Sequence, residues 1–104
     1  MKKIFALYFL IFFIFIGISM AADTPEELYK KGNSSYESED YEKAVFIYEK
    51  LLGMDEVSPE VFYNLGNSRF KLKKIGKAIL NYERALRLDP RDRDTRFNLN
   101  LRDR

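Results

Sequence analysis

The chain has 104 residues, with 18 basic and 16 acidic side chains, and is long enough for at most one small domain. It contains no histidine and no cysteine, which removes the commonest general base, the thiol nucleophile, disulfides and most zinc sites. We therefore predict a protein that is not an enzyme, with no catalytic residue, no metal site and no cofactor.

The first 21 residues have the pattern of a secretory signal peptide. A basic start at Lys2 and Lys3 precedes an apolar run over 4–18, and small residues stand at Ser19 and Ala21. We predict cleavage after Ala21, export to the periplasm, and a mature domain over 22–104. The alternative is an uncleaved anchor that attaches the chain to the inner membrane.

Helix start signals then recur every 34 residues. Thr24 is placed to cap a helix that begins at Pro25, and Glu27 is placed to complete a capping box. Ser58 with Pro59 repeats this signal, and Asp92 stands another 34 residues on. We predict helices over 25–37, 41–52, 59–72 and 75–88, followed by a partial capping helix within 93–104. Turns are expected at Ser38-Glu39-Asp40, with Asp40 as a cap, at Lys73-Lys74, and at Gly53, which should end its helix in a left-handed conformation.

A shift of 34 residues also superimposes much of the chain on itself. The coinciding pairs are Pro25 and Pro59, Gly32 and Gly66, Asn33 and Asn67, Ala44 and Ala78, Tyr48 and Tyr82, Glu49 and Glu83, and Leu52 and Leu86. A fixed period of this size is typical of repeat architectures. The second copy closely resembles the tetratricopeptide repeat, with Phe62, Leu65-Gly66, Ala78, Tyr82 and Pro90 at its characteristic positions. The resemblance implies an all-α helix-turn-helix solenoid with repeats over about 25–58 and 59–92.

The repeat assigns a buried face to each helix. Small residues are expected where paired helices approach closely, at Gly32, Ala44, Gly66, Ala78 and Ala85. Larger side chains are expected to fill the space around them, namely Leu28, Tyr41, Val45, Tyr48, Leu52, Phe62, Leu65, Leu72, Ile75, Ile79, Tyr82, Leu86 and Leu88.

Polar and aromatic residues on the first helix of each pair form the candidate binding surface. In stacked helix pairs these first helices line a concave face, where such proteins usually bind. Asparagine amides can hold the backbone of an extended peptide, and tyrosine and phenylalanine offer flat contact area. The predicted partner-binding residues are Tyr29, Asn33, Tyr36, Tyr63, Asn64, Asn67 and Phe70. The alternative is that the asparagines tie neighbouring helices together and that Tyr29 and Tyr63 cover the edges of the core.

Charge is divided unevenly between the two repeats. From 23 to 60 there are 11 acidic and 4 basic side chains, a net charge of −7, and from 61 to 104 there are 5 acidic and 12 basic, a net charge of +7. This split favours a second function, a self-stacking assembly module held by its acidic first and basic second repeat, with salt-sensitive self-association. A nucleic-acid patch of Arg69, Lys71, Lys73, Lys74, Lys77 and Phe70 is disfavoured by the acidic first half and by export. Contact of Lys73, Lys74 and Lys77 with an anionic membrane surface is favoured over contact with nucleic acid.

Two narrower resemblances bear on function. Asn33 and Asn64 match the asparagines of the peptide-carboxylate clamp of some tetratricopeptide repeats, but Tyr29, Asp94 and Asn98 replace its basic residues, so we do not predict that activity. The segment over 63–99 resembles the repeat region of membrane-associated proteins of the Bat (Bacteroides aerotolerance) operons. This resemblance implies an adaptor for a protein or peptide partner in an aerotolerance or envelope-stress membrane complex.

Overall fold

The computed structural model describes residues 23–100, and all the regular secondary structure in this part of the chain is helical. The helices are α1 (Pro25–Glu37), α2 (Tyr41–Gly53), α3 (Pro59–Lys71), α4 (Ile75–Leu88) and α5 (Arg93–Leu99). The predicted signal peptide lies outside the described residues. None of the described helices has the length and apolar character needed to cross a membrane.

The predicted start signals cap their helices. The Thr24 hydroxyl accepts a hydrogen bond from the Glu27 N–H at 3.2 Å, and the Glu27 carboxylate accepts one from the Thr24 N–H at 3.4 Å. The Ser58 hydroxyl likewise accepts from the Val61 N–H at 3.1 Å. These bonds satisfy donors that have no partner inside the helix, so the 34-residue spacing of the caps fixes where α1 and α3 begin.

The prediction for Gly53 is wrong. Gly53 is the last residue of α2, and none of the described glycines has a positive φ. The Met54 N–H still reaches the Lys50 carbonyl at 3.2 Å, so helical hydrogen bonding continues past the glycine. The chain turns at Asp55 instead, with φ of 61°, because aspartate adopts the left-handed region more readily than most side chains.

The helices form two antiparallel pairs that stack side by side. α1 packs along α2, and α3 packs along α4; α2 then packs on α3, and α5 packs on α4. One core cluster crosses the boundary between the pairs, with Ile47, Tyr48 and Leu51 of α2 against Val61 and Leu65 of α3. Val61 and Leu65 of the second pair are therefore buried in a core that they share with the first pair.

A glycine in the first helix of each pair lies under a tyrosine ring of the second helix. A Cβ atom placed on Gly32 would lie 2.7 Å from Tyr48 Cε1, and one on Gly66 would lie 2.6 Å from Tyr82 Cε1. Both distances are shorter than any normal carbon contact. The two glycines are therefore required by close helix packing, as their repetition predicts.

Most of the predicted core is buried or half-buried, with two exceptions. Ile75 and Leu88, the first and last residues of α4, are 40% and 49% exposed. Ile47, Leu51 and Val61 are also buried, although the repeat pattern did not predict them as core residues. The same pattern also missed four buried polar residues, Ser35, Ser68, Asn81 and Thr95.

Substitution of these glycines should distinguish the effect of close packing on stability from the effect of helix propensity. Gly66→Ala forces a methyl group against the Tyr82 ring, and overpacking of this kind costs about 1–3 kcal/mol. The gain in helix propensity is only about 1 kcal/mol, so we expect a net loss of stability in urea unfolding.

Gly76→Ala is the matched control, since nothing lies within 4 Å of its Cβ position. It should stabilise the protein by about 0.4–1 kcal/mol. Equal stabilisation by both alanines would contradict the packing role of Gly66.

Candidate functional site

The first helices of the stacked pairs carry one continuous surface with two open pockets, which we call the inner face. The first pocket, of about 260 Å³, is lined by Asn33, Tyr36, Glu37, Tyr48 and Asn64. The second, of about 250 Å³, is lined by Tyr36, Tyr63, Asn67, Phe70, Lys71, Tyr82 and Asn98. Tyr36 lines both pockets, so they adjoin. The inner face thus brings together six of the seven predicted binding residues, and the seventh, Tyr29, lies beside Asn64.

Hydrogen bonds across the first pocket join the two repeats. The buried Tyr48 hydroxyl donates to Asn33 Oδ1 at 2.6 Å, which links α2 to α1. Asn64 Nδ2 of α3 donates to the same Asn33 oxygen at 3.3 Å and to the Tyr29 hydroxyl at 3.1 Å. Asn33 is therefore bonded both within its own repeat and to the next one.

The second pocket repeats this arrangement 34 residues later. The Tyr82 hydroxyl donates to Asn67 Oδ1 at 2.6 Å, and Asn98 Nδ2 of α5 donates to that oxygen at 2.9 Å and to the Tyr63 hydroxyl at 3.2 Å. We call these eight residues the asparagine ladder: Tyr29, Asn33, Tyr48 and Asn64, then Tyr63, Asn67, Tyr82 and Asn98. Each group of four residues is one rung of the ladder, and each rung fixes the distance between one first helix and the next.

Burial raises the pKa of the two ladder phenols that donate to asparagine, Tyr48 and Tyr82. It raises the pKa of Tyr48 well above the ordinary value of a phenol, and neighbouring Tyr29 adds to the effect. Burial likewise raises the pKa of Tyr82, with a contribution from Tyr63. Each of these hydroxyls therefore keeps the proton that it donates to asparagine to a higher pH than an ordinary phenol would.

The ladder determines which atoms of the inner face are available to a ligand. Oδ1 of Asn33 and of Asn67 each accepts two internal hydrogen bonds, so these residues have the helix-tying role that the sequence analysis gave as its alternative. Their role in partner binding stays a prediction. Tyr36 and Phe70 are half-buried side chains that line the pockets and are not members of the ladder. They are the best probes of binding, because their replacement leaves the rungs intact.

Tyr36 lies at the junction of the two pockets. Its ring meets Tyr41 edge-on, with ring centroids 5.4 Å apart. Burial is the main cause of its raised pKa, followed by Tyr41, Tyr63 and the carboxylate of Glu37. The ring is therefore supported on one side and presents a neutral hydroxyl beside a negative charge.

Arg69 does not belong to an exposed basic patch. Its Nη1 donates to Asn81 Oδ1 at 2.8 Å, its Nη2 forms an ion pair with Glu49, and its side chain is only 15% exposed. Arg69 thus links α3 to both second helices, and the nucleic-acid patch considered from the sequence loses one of its members. At the 34-residue spacing Arg69 and Asn81 align with the buried Ser35 and Ile47, so the first repeat has no equivalent of this link.

Comparison with known proteins agrees with this geometry. Sequence profiles of the tetratricopeptide repeat match residues 28–57 and residues 59–92, which together make up more than half of the chain. No curated protein shows significant sequence similarity to the chain. Tetratricopeptide repeats are generally protein–protein interaction modules. With five helices in the described part and two matched repeats, the chain belongs to the tetratricopeptide repeat proteins and forms an all-α helical repeat solenoid.

Proposed function

We propose that this protein is a non-enzymatic adaptor that binds an extended peptide, or an extended segment of a protein, along its inner face. The observation that carries the proposal is the pair of adjoining pockets with the same repeat-equivalent residues in each. Asn33, Tyr36 and Tyr48 in the first pocket correspond to Asn67, Phe70 and Tyr82 in the second. An extended peptide presents side chains at regular intervals, so a surface with a regular repeat suits it.

The ladder supports this function because it holds the pockets in place before a ligand arrives. A surface that is already ordered loses less conformational entropy on binding than one that must be organised by its ligand. Tyr36 and Phe70 supply aromatic area with few rotamers to lose. The amide Nδ2 groups of Asn33 and Asn67 are the donors suited to peptide carbonyl oxygens, since the oxygens of both side chains are engaged in the ladder.

A photo-crosslinking amino acid can test where the partner lies. We expect p-benzoylphenylalanine at position 36 or position 70 to crosslink the same cellular protein, because both side chains line the inner face. The matched control is position 46, where Phe46 is 67% exposed on α2 and lines neither inner-face pocket. Adducts of the same size at all three positions, or at position 46 alone, would contradict the proposal that the partner binds the inner face.

Self-stacking is the second candidate function, and the charge split favours it. A first half with net charge −7 can attract the +7 second half of another copy, which would extend the solenoid between chains. Exposed charges are strongly screened at high salt, so such assemblies should dissociate as salt is added. Light scattering at low and high salt measures this directly. A mass that does not change with salt, together with no effect of reversing Lys73, Lys74 and Lys77, would count against stacking.

We further propose that the protein is exported, is attached at the inner membrane and acts in an aerotolerance or envelope-stress complex. These proposals rest on residues 1–21 and on the resemblance over 63–99. If the signal peptide is cleaved as predicted, the protein recovered from the cell envelope fraction should begin at Ala22. An amino terminus at Met1 would favour the uncleaved anchor.

A further inference from the structure

The two pockets of the inner face carry opposite charges at equivalent positions. Glu37 is the charged residue that lines the first pocket, and Lys71 is the one that lines the second. These residues are 34 positions apart and are the last residues of α1 and α3. The repeat therefore preserves the shape of the pocket and inverts its charge.

The inversion continues into the turns that follow these helices. Glu39 and Lys73 occupy the same left-handed backbone position, with φ of 63° and 64°, and Asp40 and Lys74 come next. All four of these side chains are exposed. Three equivalent positions thus change from acidic to basic between the first repeat and the second. Glu37 and Lys71 line the inner-face pockets, whereas Asp40 lines a separate pocket with Lys30 and Lys43.

The charges of Glu37 and Lys71 are available to a ligand. Within residues 23–100 the ion pairs join Lys31 to Asp23 and Arg69 to Glu49, so neither Glu37 nor Lys71 is held in one. Glu37 lines the first pocket with Tyr36 and Tyr48. Burial is the main cause of the raised pKa of both tyrosines, and the negative charge of Glu37 adds to it. Glu37 also lies at the C-terminal end of α1, where the helix dipole disfavours a negative charge, so helix stability does not explain its presence.

We infer that the inner face selects a peptide of dipolar charge, with a lysine or arginine over the first pocket and an aspartate or glutamate over the second. This inference rests on the proposed peptide-binding function and names the chemistry of the ligand. Glu37 contacts the basic side chain, and Lys71 contacts the acidic one. Aromatic contact with Tyr36 and Phe70 fixes the segment between them. Because the two pockets adjoin, the two charged residues of the peptide are separated by a short, fixed interval.

Selection from a displayed library of random dodecapeptides tests the inference. The purified chain should enrich peptides in which a basic and an acidic residue recur at one separation and in one order. The variant Glu37→Lys with Lys71→Glu keeps the net charge and touches no ladder residue. It should enrich the reverse order and bind the peptides selected by the original chain about tenfold more weakly.

The control exchanges the same charges between the same repeats, but away from the pockets. Glu42→Lys with Lys77→Glu changes exposed residues in the first turns of α2 and α4, and it should retain the original order. Circular dichroism checks that both variants keep their helices.

The outcomes separate the inference from the function on which it rests. Peptides enriched without a charge order, or an order that the Glu37/Lys71 exchange does not reverse, would overturn the dipolar selection and leave peptide binding in place. Recovery of no peptide would count against both. Reversal of the order by the control exchange would show that the overall charge split, rather than the pockets, is being selected.

Discussion

One tyrosine per repeat couples the two kinds of packing on which this solenoid depends. The ring of Tyr48 lies against Gly32, which sets the distance between the two helices of the first pair. Its hydroxyl donates to Asn33, the residue after that glycine, and Asn33 also accepts from Asn64 of the second pair. Packing within a repeat and stacking between repeats therefore share a single side chain. Tyr82 has the same role 34 residues later.

This coupling explains why the inner face carries repeated pockets. Each pocket lies over a rung of the ladder, so its walls are fixed by bonds that are needed for stacking in any case. The residues at the pocket edge are not constrained in this way, and their charge is free to differ between repeats. Glu37 and Lys71 differ in charge in this way. The inner face therefore has two pockets of similar shape, the first with a negative charge and the second with a positive one. A ligand that matches both properties is a short extended segment with charges of opposite sign.

The sequence predicts the parts of this structure that recur with the 34-residue period. Capping at Thr24 and Ser58 and the close packing at Gly32 and Gly66 follow from residue types at equivalent positions, and the structure confirms them. The exposure of Ile75 and Leu88 was not predictable from the period, because it depends on how far neighbouring helices extend over the ends of α4.

The 34-residue pattern also does not predict interactions between residues that have no equivalent in the other repeat. Arg69 reaches Asn81 and Glu49, and the three residues lie on three different helices. The first repeat offers no equivalent to compare, since it has Ser35 and Ile47 in place of the first two. For the inner face, the residues predicted from the sequence include six that line the pockets but not Glu37, Lys71 or Asn98. Two roles stayed open for the predicted asparagines, because an asparagine amide serves a neighbouring helix as well as it serves a peptide. The hydrogen-bond partners of Asn33 and Asn67 show the first of these roles.

The most direct test of the account is a double-mutant cycle across the repeat boundary. Asn33→Ala, Asn64→Ala and the double variant are compared by urea unfolding, with Asn33 and Asn98 as a control pair that shares no hydrogen bond in the ladder. If the ladder couples the repeats, the Asn33 and Asn64 losses should overlap, with an interaction of about 0.5–3 kcal/mol, while the control pair should be additive. Additive losses for Asn33 and Asn64 would contradict the claim that this bond holds the stacked repeats together.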